Sequence, residues 1–421
     1  VAVPGDKSIS HRALLLGAVA DGDTQVRGFL RGEDCLATLA AMRALGVRIE
    51  DDGDALRVHG VGCGGLEAAS APLDLGNSGT ALRLLTGILA AQPFDSELTG
   101  DASLRRRPME RIATPLRAMG ARIATTGGCA PLRISGGARL EGIDYELPVA
   151  SAQIKSAILL AGLWAHGETR VRSPGPSRDH TERMLRTMGV DVRESTPGIV
   201  SLVGPARLSA GEIDVPADFS SAAFFIVAGL IGATAGLTIP GVGVNPTRVG
   251  LLDVLRRMGA RIELRNPSTR GAEPVADVYV ERSDLRGAEI GGDAISLSID
   301  ELPVLFIAAA CARGSTVVKD AEELRHKESD RIAVMAAGLR AVGIEAEERP
   351  DGLSIRGGPI GGGVVDSHGD HRVAMAFSVA SVAAEANIEI LRTAEVATSF
   401  PRFVETANGI GLRLETGMLD R

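Results

Sequence analysis

Aromatic residues are scarce in this sequence: phenylalanine, tyrosine and tryptophan together make up 3% of the 421 residues. Proteins that bind single-stranded nucleic acid usually stack bases on aromatic side chains within a positively charged groove. This chain has few such side chains, and its formal net charge is −8 at pH 7. The composition therefore argues against a nucleic-acid-binding protein.

Cysteine is scarce as well, and the four cysteines form no Cys-x-x-Cys pair. They are Cys35, Cys63, Cys129 and Cys311. This spacing suggests neither a zinc cluster nor a disulfide framework. His368 and His371 have a spacing that could suit a metal, but no diagnostic series of thiolates or carboxylates accompanies them. We therefore expect no metal, and a reducing compartment, the cytoplasm.

Only one segment could pass for a membrane span, and it runs without a charge from Phe219 to Thr247. Its glycines and prolines argue against a single long helix. We expect a buried helix, a glycine stop and a strand with the sequence LTIPGV instead. The sequence thus predicts a protein that does not enter a membrane.

A single pattern recurs about every 70 residues, so that six copies fill the chain of 421 residues. In each copy an amphipathic run ends at a glycine and a β-rich run follows, as in LRAMGARI and LRRMGARI. The sixth copy, ANGIGLRL, is degraded. The aligned glycines are Gly46, Gly120, Gly189, Gly259, Gly343 and Gly411. Because glycine readily takes the left-handed conformation that ends helices, the pattern predicts a helix, a glycine stop and a strand in each repeat.

A second series of apolar runs lies about half a period away from the first. Runs such as SGTALRLLTGILA and SSAAFFIVAGLI are apolar nearly all round, which is typical of helices buried on most sides. Six repeats of this kind predict an α/β protein with two domains of three repeats each. The polar segment VPADFSS near Asp218 is the best boundary, so we expect domains at 5–217 and 218–421.

Cationic residues are concentrated at the starts of the predicted helices, where the helix dipole disfavours positive charge. The chain has only four lysines, and three of them, Lys7, Lys155 and Lys327, lie in such blocks. One such group of residues at a helix start has a structural explanation, because helix caps and surface ion pairs use the same residue types. Seven blocks together predict an anion site, because helix N-termini with arginine and lysine bind phosphates and carboxylates.

Carboxylates near these blocks are candidates for proton transfer in such a site. Asp300 and Glu301 stand at the start of a predicted buried helix, and Glu328 stands between Lys327 and Arg331. A carboxylate among cations is often only an ion-pair partner. In an anion site it would otherwise repel the ligand, so a catalytic role is the alternative interpretation.

Eight motifs, in order along the chain, resemble those of the enolpyruvyl transferases, and in particular the second sequence class of the EPSP synthase family. They are PGDKSISHR, LGNSGTALR, RRRPM, SAQIKSA, SRDHTE, ELRHKESDR, GDHRVAMAF and TSFP. The chain differs from some members of the family at three places. Those members have a serine at the position of Ala152, a tyrosine near the position of Arg178, and a lysine at the position of Thr398. The resemblance implies two domains, each built from three βαβαββ units around buried helices, with the active site in the interdomain cleft. It also implies that residues 1–4 belong to the second domain.

The resemblance further implies a reaction without a cofactor. The carboxyvinyl group of phosphoenolpyruvate moves to the 5-hydroxyl of shikimate 3-phosphate, and phosphate leaves. Asp300 would take the proton of the hydroxyl, Glu328 would protonate the methylene carbon, Lys327 would lie beside the hydroxyl, and His371 would support the site. The implied shikimate 3-phosphate residues are Ser8, Arg12, Ser151, Gln153, Ser177 and Arg178. The implied phosphoenolpyruvate residues are Lys7, Asn77, Gly79, Thr80, Arg107, Gln153, Arg331 and Arg372.

Two alternatives stay open at this point. A transferase that uses a UDP-amino sugar, UDP-N-acetylglucosamine, has a cysteine on the loop where this chain reads DASLRRRPM. A non-catalytic phosphometabolite-binding protein on the same scaffold should have lost Asp300, Lys327 or Glu328, and this chain keeps all three. We therefore expect a monomeric enzyme with two small-molecule substrates.

Overall fold

The computed structural model describes residues 1–417, and the chain in it divides into two compact units, each with its own hydrophobic core. The first unit contains Gly5–Pro216 together with Thr269–Glu273. The second unit contains Val1–Pro4, Ala217–Ser268 and residues 274–417. The domains expected from the sequence, 5–217 and 218–421 with 1–4, stay a prediction, and residues 418–421 lie outside the described part.

The first unit is built from helices and short strands in alternation. Its helices are α1 (Lys7–Ala18), α2 (Glu33–Ala44), α3 (Gly79–Leu89), α4 (Glu110–Ala118), α5 (Ala152–Gly162) and α6 (His180–Thr187), with a 3-10 turn at Leu104–Arg106. Its strands are β1 (Asp21–Arg27), β2 (Ile49–Asp51), β3 (Ala55–Val61), β4 (Leu73–Asp74), β5 (Ser96–Thr99), β6 (Arg122–Thr126), β7 (Cys129–Ser135), β8 (Asp144–Glu146), β9 (Gly167–Arg172), β10 (Arg193–Thr196), β11 (Ile199–Gly204) and β12 (Glu212–Asp214).

The second unit repeats this alternation. Its helices are α7 (Phe219–Gly232), α8 (Gly250–Arg257), α9 (Asp293–Ser296), α10 (Leu302–Ala310), α11 (Arg331–Ala341), α12 (His371–Ala380) and α13 (Phe403–Asn408), with 3-10 turns at Glu322–His326 and Ala394–Thr398. Its strands are β13 (Leu237–Gly243), β14 (Arg261–Arg270), β15 (Glu273–Glu281), β16 (Glu289–Ile290), β17 (Ser315–Val318), β18 (Glu345–Arg349), β19 (Gly352–Arg356), β20 (Gly363–Asp366) and β21 (Ile388–Leu391).

One strand pattern recurs in the sheets, as the sequence repeat predicts. In the sheet β4-β5-β7-β6, the first pair is parallel and the other two pairs are antiparallel. The sheets β8-β9-β11-β10 and β16-β17-β19-β18 have the same pattern. The first sheet, β12-β1-β3-β2, obtains its parallel strand from the end of the third repeat, because β12 pairs with β1. The remaining sheets are β13-β15-β14 and β20-β21.

The glycine stops are confirmed in all six copies. The φ angles of Gly46, Gly120, Gly189, Gly259, Gly343 and Gly411 are 87°, 104°, 91°, 97°, 86° and 100°. A side chain at these positions would strain the backbone, which explains why glycine ends each helix. Strands follow the first five glycines as predicted. The prediction is wrong for the degraded sixth copy, because residues 412–417 form no strand.

The second helix series forms the interior of each unit. In the first unit α3 packs against α5 and α1, and in the second unit α10 packs against α12 and α7. The apolar run after Asp218 forms helix α7 and then strand β13, as predicted. Among residues 1–417, no helix is both long and apolar enough to cross a membrane.

Candidate active site

In the first unit, the cationic and polar residues of the sequence motifs stand at helix starts. Lys7, Ser8 and Arg12 lie in the first turns of α1, and Ser151 caps α5, where its hydroxyl accepts from the backbone N–H of Ile154. Local sequence explains these starts, because Asp6, Ser78 and Ser151 provide the side-chain oxygens that cap α1, α3 and α5. The caps fix the positions from which the neighbouring cations project.

Arg12 is buried and binds three groups from different parts of the first unit. Its Nε donates to the Thr181 hydroxyl (2.7 Å), its Nη2 to the Ser156 hydroxyl (2.8 Å) and its Nη1 to the Ser8 carbonyl (3.0 Å). Burial lowers the pKa of Arg12 to about 10, and the positive charge of Arg178 contributes to the lowering. Arg12 therefore stays charged at neutral pH, and the charge of Arg178 acts on it.

A second group of the predicted residues makes hydrogen bonds near the starts of α3 and α5. Gln153 donates from Nε2 to the Thr80 hydroxyl (2.9 Å), and its Oε1 accepts from Arg83 Nη1 (2.6 Å). Asn77 accepts from Arg107 Nη2 at its Oδ1 (2.6 Å). The structure thus brings together residues from three separate motifs.

Gly79 is the point at which two arginines converge. A Cβ atom on Gly79 would stand 2.9 Å from Nη1 of Arg107 and 2.9 Å from Nη1 of Arg83. Both arginines are largely buried. Two positively charged guanidinium groups thus lie close together and away from solvent. This arrangement is expected of a site that binds a phosphate or a carboxylate.

The remaining predicted residues of the first unit have other partners. Lys7 pairs with Asp34 through Nζ and Oδ2 (3.0 Å). The backbone carbonyl of Ser177 accepts from Lys155 Nζ (3.4 Å), while its buried hydroxyl makes no hydrogen bond. Lys155 itself forms a buried ion pair with Glu182 (2.6 Å).

In the second unit, the predicted residues surround Arg331. This side chain is 1% exposed and contacts three carboxylates. Its Nη2 lies 2.6 Å from Glu328 Oε2, its Nε lies 2.8 Å from Asp370 Oδ2, and its Nη1 lies 3.6 Å from Asp300 Oδ1. Burial alone would lower the pKa of Arg331, but Asp370, Glu328 and Asp300 together raise it. Arg331 is therefore a permanent positive charge that holds the two candidate proton carriers.

Asp300 also contacts a second cation of the cluster. Arg372 Nη1 donates to the backbone carbonyl of Asp300 (3.0 Å), and its Nη2 lies 3.8 Å from Asp300 Oδ2. Burial lowers the pKa of Lys327, while Asp300 and Glu323 oppose this shift. His371 is buried as the first residue of α12. Among residues 1–417, no group of three or more possible metal ligands is present.

The site residues implied by the resemblance leave out several members of these groups, although Arg83 and Asp370 stand in helix-start blocks of the sequence. Asp370 caps α12 and pairs with Arg331, although the motif GDHR contains it. Arg83 lies four residues after Gly79 in α3, and this helical spacing was the available signal. Asp34 had no signal in the sequence, because its pairing with Lys7 depends on how α1 packs against α2.

The fold is the two-domain fold of the enolpyruvyl transferases. The enolpyruvyl transferase NikO from Streptomyces tendae has a similar structure, with a TM-score of 0.81 at 20% sequence identity, over 98% of this chain and 94% of that chain. An EPSP synthase from Acinetobacter baumannii is similar in both structure and sequence. Its TM-score is 0.87 at 52% identity, over 99% of this chain and 96% of that chain.

The family model for EPSP synthase (3-phosphoshikimate 1-carboxyvinyltransferase) matches residues 1–407. The 3-phosphoshikimate 1-carboxyvinyltransferase of Methylococcus capsulatus is 58% identical over 417 residues, which are 99% of this chain and 95% of that protein. The chain therefore belongs to the EPSP synthase family of transferases. The UDP-amino sugar transferase and the non-catalytic binding protein are not favoured by these similarities.

Proposed function

We propose that the buried cations of the first unit bind the anionic groups of the substrates and that the carboxylates around Arg331 move protons. In the family's reaction, the carboxyvinyl group of phosphoenolpyruvate is transferred to the 5-hydroxyl of shikimate 3-phosphate, and phosphate is released. The observation that carries this assignment is the Arg331 cluster, because one buried guanidinium holds both Asp300 and Glu328.

The proton steps follow from the chemistry of the two carboxylates. Asp300 takes the proton of the 5-hydroxyl of shikimate 3-phosphate. At the same time, the oxygen of that hydroxyl forms a bond to C2 of phosphoenolpyruvate. Glu328 gives a proton to the methylene carbon, and a tetrahedral intermediate results. The bond between C2 and the phosphate oxygen then breaks, a proton leaves the methyl group, and the double bond forms again. Lys327 lies beside the hydroxyl in this assignment, and His371 supports the site.

The anionic groups are divided between two sets of residues. Shikimate 3-phosphate is bound by Ser8, Arg12, Ser151, Gln153, Ser177 and Arg178. Phosphoenolpyruvate is bound by Lys7, Asn77, Gly79, Thr80, Arg107, Gln153, Arg331 and Arg372. Planar guanidinium groups suit both carboxylate and phosphate because they donate two parallel hydrogen bonds. The lack of a side chain at Gly79 leaves space for an anion between Arg83 and Arg107.

Arg107 and Arg106 form a matched pair for a test, because they are adjacent and only Arg107 is buried. We expect Arg107→Ala to raise the KM for phosphoenolpyruvate at least about 30-fold, as the loss of a buried charge contact costs roughly 2–5 kcal/mol. The dissociation constant for shikimate 3-phosphate, measured by calorimetry, should change less than about threefold. Arg106→Ala should match the unaltered enzyme.

Phosphate release with the two substrates tests the function itself. Release that requires UDP-N-acetylglucosamine rather than shikimate 3-phosphate would overturn the proposal, as would the absence of release from both. Equal losses for both ligands in Arg107→Ala would show that Arg107 does not belong to the phosphoenolpyruvate set.

We further propose that the enzyme acts as a monomer in the cytoplasm. All four cysteines lie within the described residues and are free thiols, as expected of a reducing compartment. Sedimentation at micromolar concentration should give a single species near the mass of one chain, 43.6 kDa. A dimer that persists on dilution would contradict the proposal.

A further inference from the structure

A short segment of the second half of the chain folds as part of the first unit. The strands β14 and β15 are joined by a tight turn, and Thr269–Glu273, here called the tip segment, belongs to the first unit. The residues directly before and after it belong to the second unit. The first unit is therefore incomplete without five residues that follow it in the sequence.

Two hydrogen bonds attach the tip segment to helix α6. The carboxylate of Glu273 contacts His180, with Oε1 2.8 Å from Nδ1. The carbonyl oxygen of Ala272 accepts from Arg183 Nη1 (2.9 Å). Glu273 is 4% exposed and His180 is 1% exposed. A buried carboxylate is costly unless it is paired, so the contact with His180 is an integral part of this packing.

The first turn of α6 connects the tip segment with the proposed shikimate 3-phosphate residues. After His180, the Thr181 hydroxyl accepts from Arg12 Nε (2.7 Å), and Glu182 pairs with Lys155 on α5 (2.6 Å). Each of these side chains binds a different element of the first unit. Ser177 and Arg178 directly precede this turn in the chain, so the position of the turn determines where they stand.

The electrostatics point to the same connection. The charges of Glu273 and of Arg178 both act on Arg12, Glu273 in favour of its charged form and Arg178 against it. Glu273 therefore lies near the cations that would meet the phosphate of the substrate. A carboxylate in that place would repel a phosphate, so a role as a direct ligand is excluded by its charge. Glu273 instead contacts His180 at the start of α6.

We propose that Glu273 is a positioning residue for shikimate 3-phosphate, which acts through His180 to fix the first turn of α6 and with it Ser177 and Arg178. This inference rests on the proposed function. The site for shikimate 3-phosphate then depends on a segment that follows Gly5–Pro216, the continuous stretch of the first unit, only after Ala217–Ser268 of the second unit.

Two conservative variants of Glu273 distinguish the effect of side-chain length from the effect of side-chain charge. Glu273→Asp keeps the charge but shortens the side chain by one methylene, so the carboxylate no longer reaches His180. Glu273→Gln keeps the length and a carbonyl oxygen that accepts from the imidazole N–H. Positioning through the hydrogen bond predicts that the aspartate variant is the more damaged one. Glu263→Gln is the control, since Glu263 is an exposed residue of β14 that pairs with Arg265 on the same strand.

Calorimetric titration with shikimate 3-phosphate is the measurement. We expect Glu273→Asp to raise the dissociation constant about tenfold, the effect of one misplaced hydrogen-bonding group, while Glu273→Gln and Glu263→Gln stay within about threefold. The KM for phosphoenolpyruvate at saturating shikimate 3-phosphate should stay within about twofold in all three variants. If Glu273 had only a structural role, Glu273→Asp would lower thermal stability. It would not weaken the binding of shikimate 3-phosphate while leaving the KM for phosphoenolpyruvate unchanged.

The outcomes are distinguishable from a failure of the proposed function. If the unaltered enzyme and Glu263→Gln do not bind shikimate 3-phosphate, the proposed function fails. If both bind it and Glu273→Asp binds equally well, only the positioning role fails. A larger loss in Glu273→Gln than in Glu273→Asp would also overturn the role, because it would assign the effect to charge rather than to reach.

Discussion

Glu328 has two interpretations that its contacts alone do not separate. It pairs with Arg331 at 2.6 Å, which is the geometry of a structural ion pair. Its side chain is nevertheless 19% exposed, whereas that of Arg331 is 1% exposed, so the carboxylate reaches solvent while its partner does not. A proton donor needs such access to a ligand, and a purely structural partner does not. The reaction rate of a variant, rather than the structure, therefore distinguishes the catalytic interpretation of Glu328 from the ion-pair interpretation.

Replacing Glu328 by glutamine distinguishes the two interpretations. As a proton donor, Glu328→Gln should lower kcat by about 10²–10⁴-fold and leave the affinity for shikimate 3-phosphate nearly unchanged. As an ion-pair partner, it should lower stability and keep much of the turnover. Glu322→Gln, in the exposed part of the preceding 3-10 turn, is the control. Deuterium incorporation from heavy water into the methylene carbon gives an independent readout, and near-normal exchange in Glu328→Gln would end the catalytic assignment.

Gly79 offers a second test at the scale of one residue. The methyl group of Gly79→Ala would stand 2.9 Å from both Arg83 Nη1 and Arg107 Nη1, so both guanidinium groups must move. We expect the KM for phosphoenolpyruvate to rise about tenfold, since a displaced charge-assisted hydrogen bond costs about 1.5–3 kcal/mol. Gly64→Ala is the control because no atom lies within 4 Å of its added methyl group. An unchanged KM in Gly79→Ala would show that no substrate group lies between these arginines.

At the scale of the element, helix α1 combines a cationic start with a buried body. His11 lies in its second turn, and its Nδ1 is 2.8 Å from the Thr38 hydroxyl on α2. Burial and the nearby charges of Lys7 and Arg12 hold the pKa of His11 well below its usual 6.5. The folded protein therefore keeps this imidazole neutral, so the helix that carries two cations at its start carries no third.

The pH dependence of stability follows from this shift. Below about pH 6.5 the unfolded chain binds a proton at His11 that the folded protein does not bind, so the free energy of unfolding falls as the pH falls. The contribution is at most about 1.4 kcal/mol per pH unit, and it ends at the lowered pKa of the folded protein. Urea unfolding at pH 7.5 and 5.5 measures it. His11→Asn should lose less stability between these values than the unaltered protein, whereas the exposed His166→Asn should not differ; parallel losses in all three would contradict the shift.

At the scale of the whole molecule, the two units have separate hydrophobic cores, and the six residues proposed for shikimate 3-phosphate all belong to the first unit. A ligand at 100 times its dissociation constant stabilises the folded state by about 2.7 kcal/mol. That stabilisation should therefore appear first in the unit that provides the binding groups. The two carboxylates proposed to move protons, Asp300 and Glu328, lie in the second unit instead.

Amide hydrogen exchange followed by mass spectrometry tests this expectation. Shikimate 3-phosphate alone should slow exchange most in α1, α5 and the start of α6, because its proposed ligands stand at or just before these helix starts. Shikimate without the phosphate, at the same concentration, is the control and should have little effect. Protection that is greatest in α7 and α10 instead would place the binding groups in the second unit.

Much of the architecture was determined by the sequence alone. The six glycines, the amphipathic runs before them and the apolar runs between them predicted the helix ends, the buried helices and five of the six strands after the stops. These features are local, since a positive φ at Gly120 or an apolar helix such as α7 depends on residues within one or two turns. The degraded sixth copy failed for the same reason, because its local pattern is weak.

The pairing of the side chains was decided only by the tertiary structure. The sequence places many cations at helix starts, but it does not say that Arg331 meets Asp370, that Arg83 and Arg107 converge on Gly79, or that Glu273 joins the first unit. In these contacts, Arg331 and Asp370 are 39 positions apart in the sequence, and Glu273 and His180 are 93 positions apart. Their formation depends on how whole helices pack, and burial then makes each pairing obligatory, since a charge removed from water must find a partner.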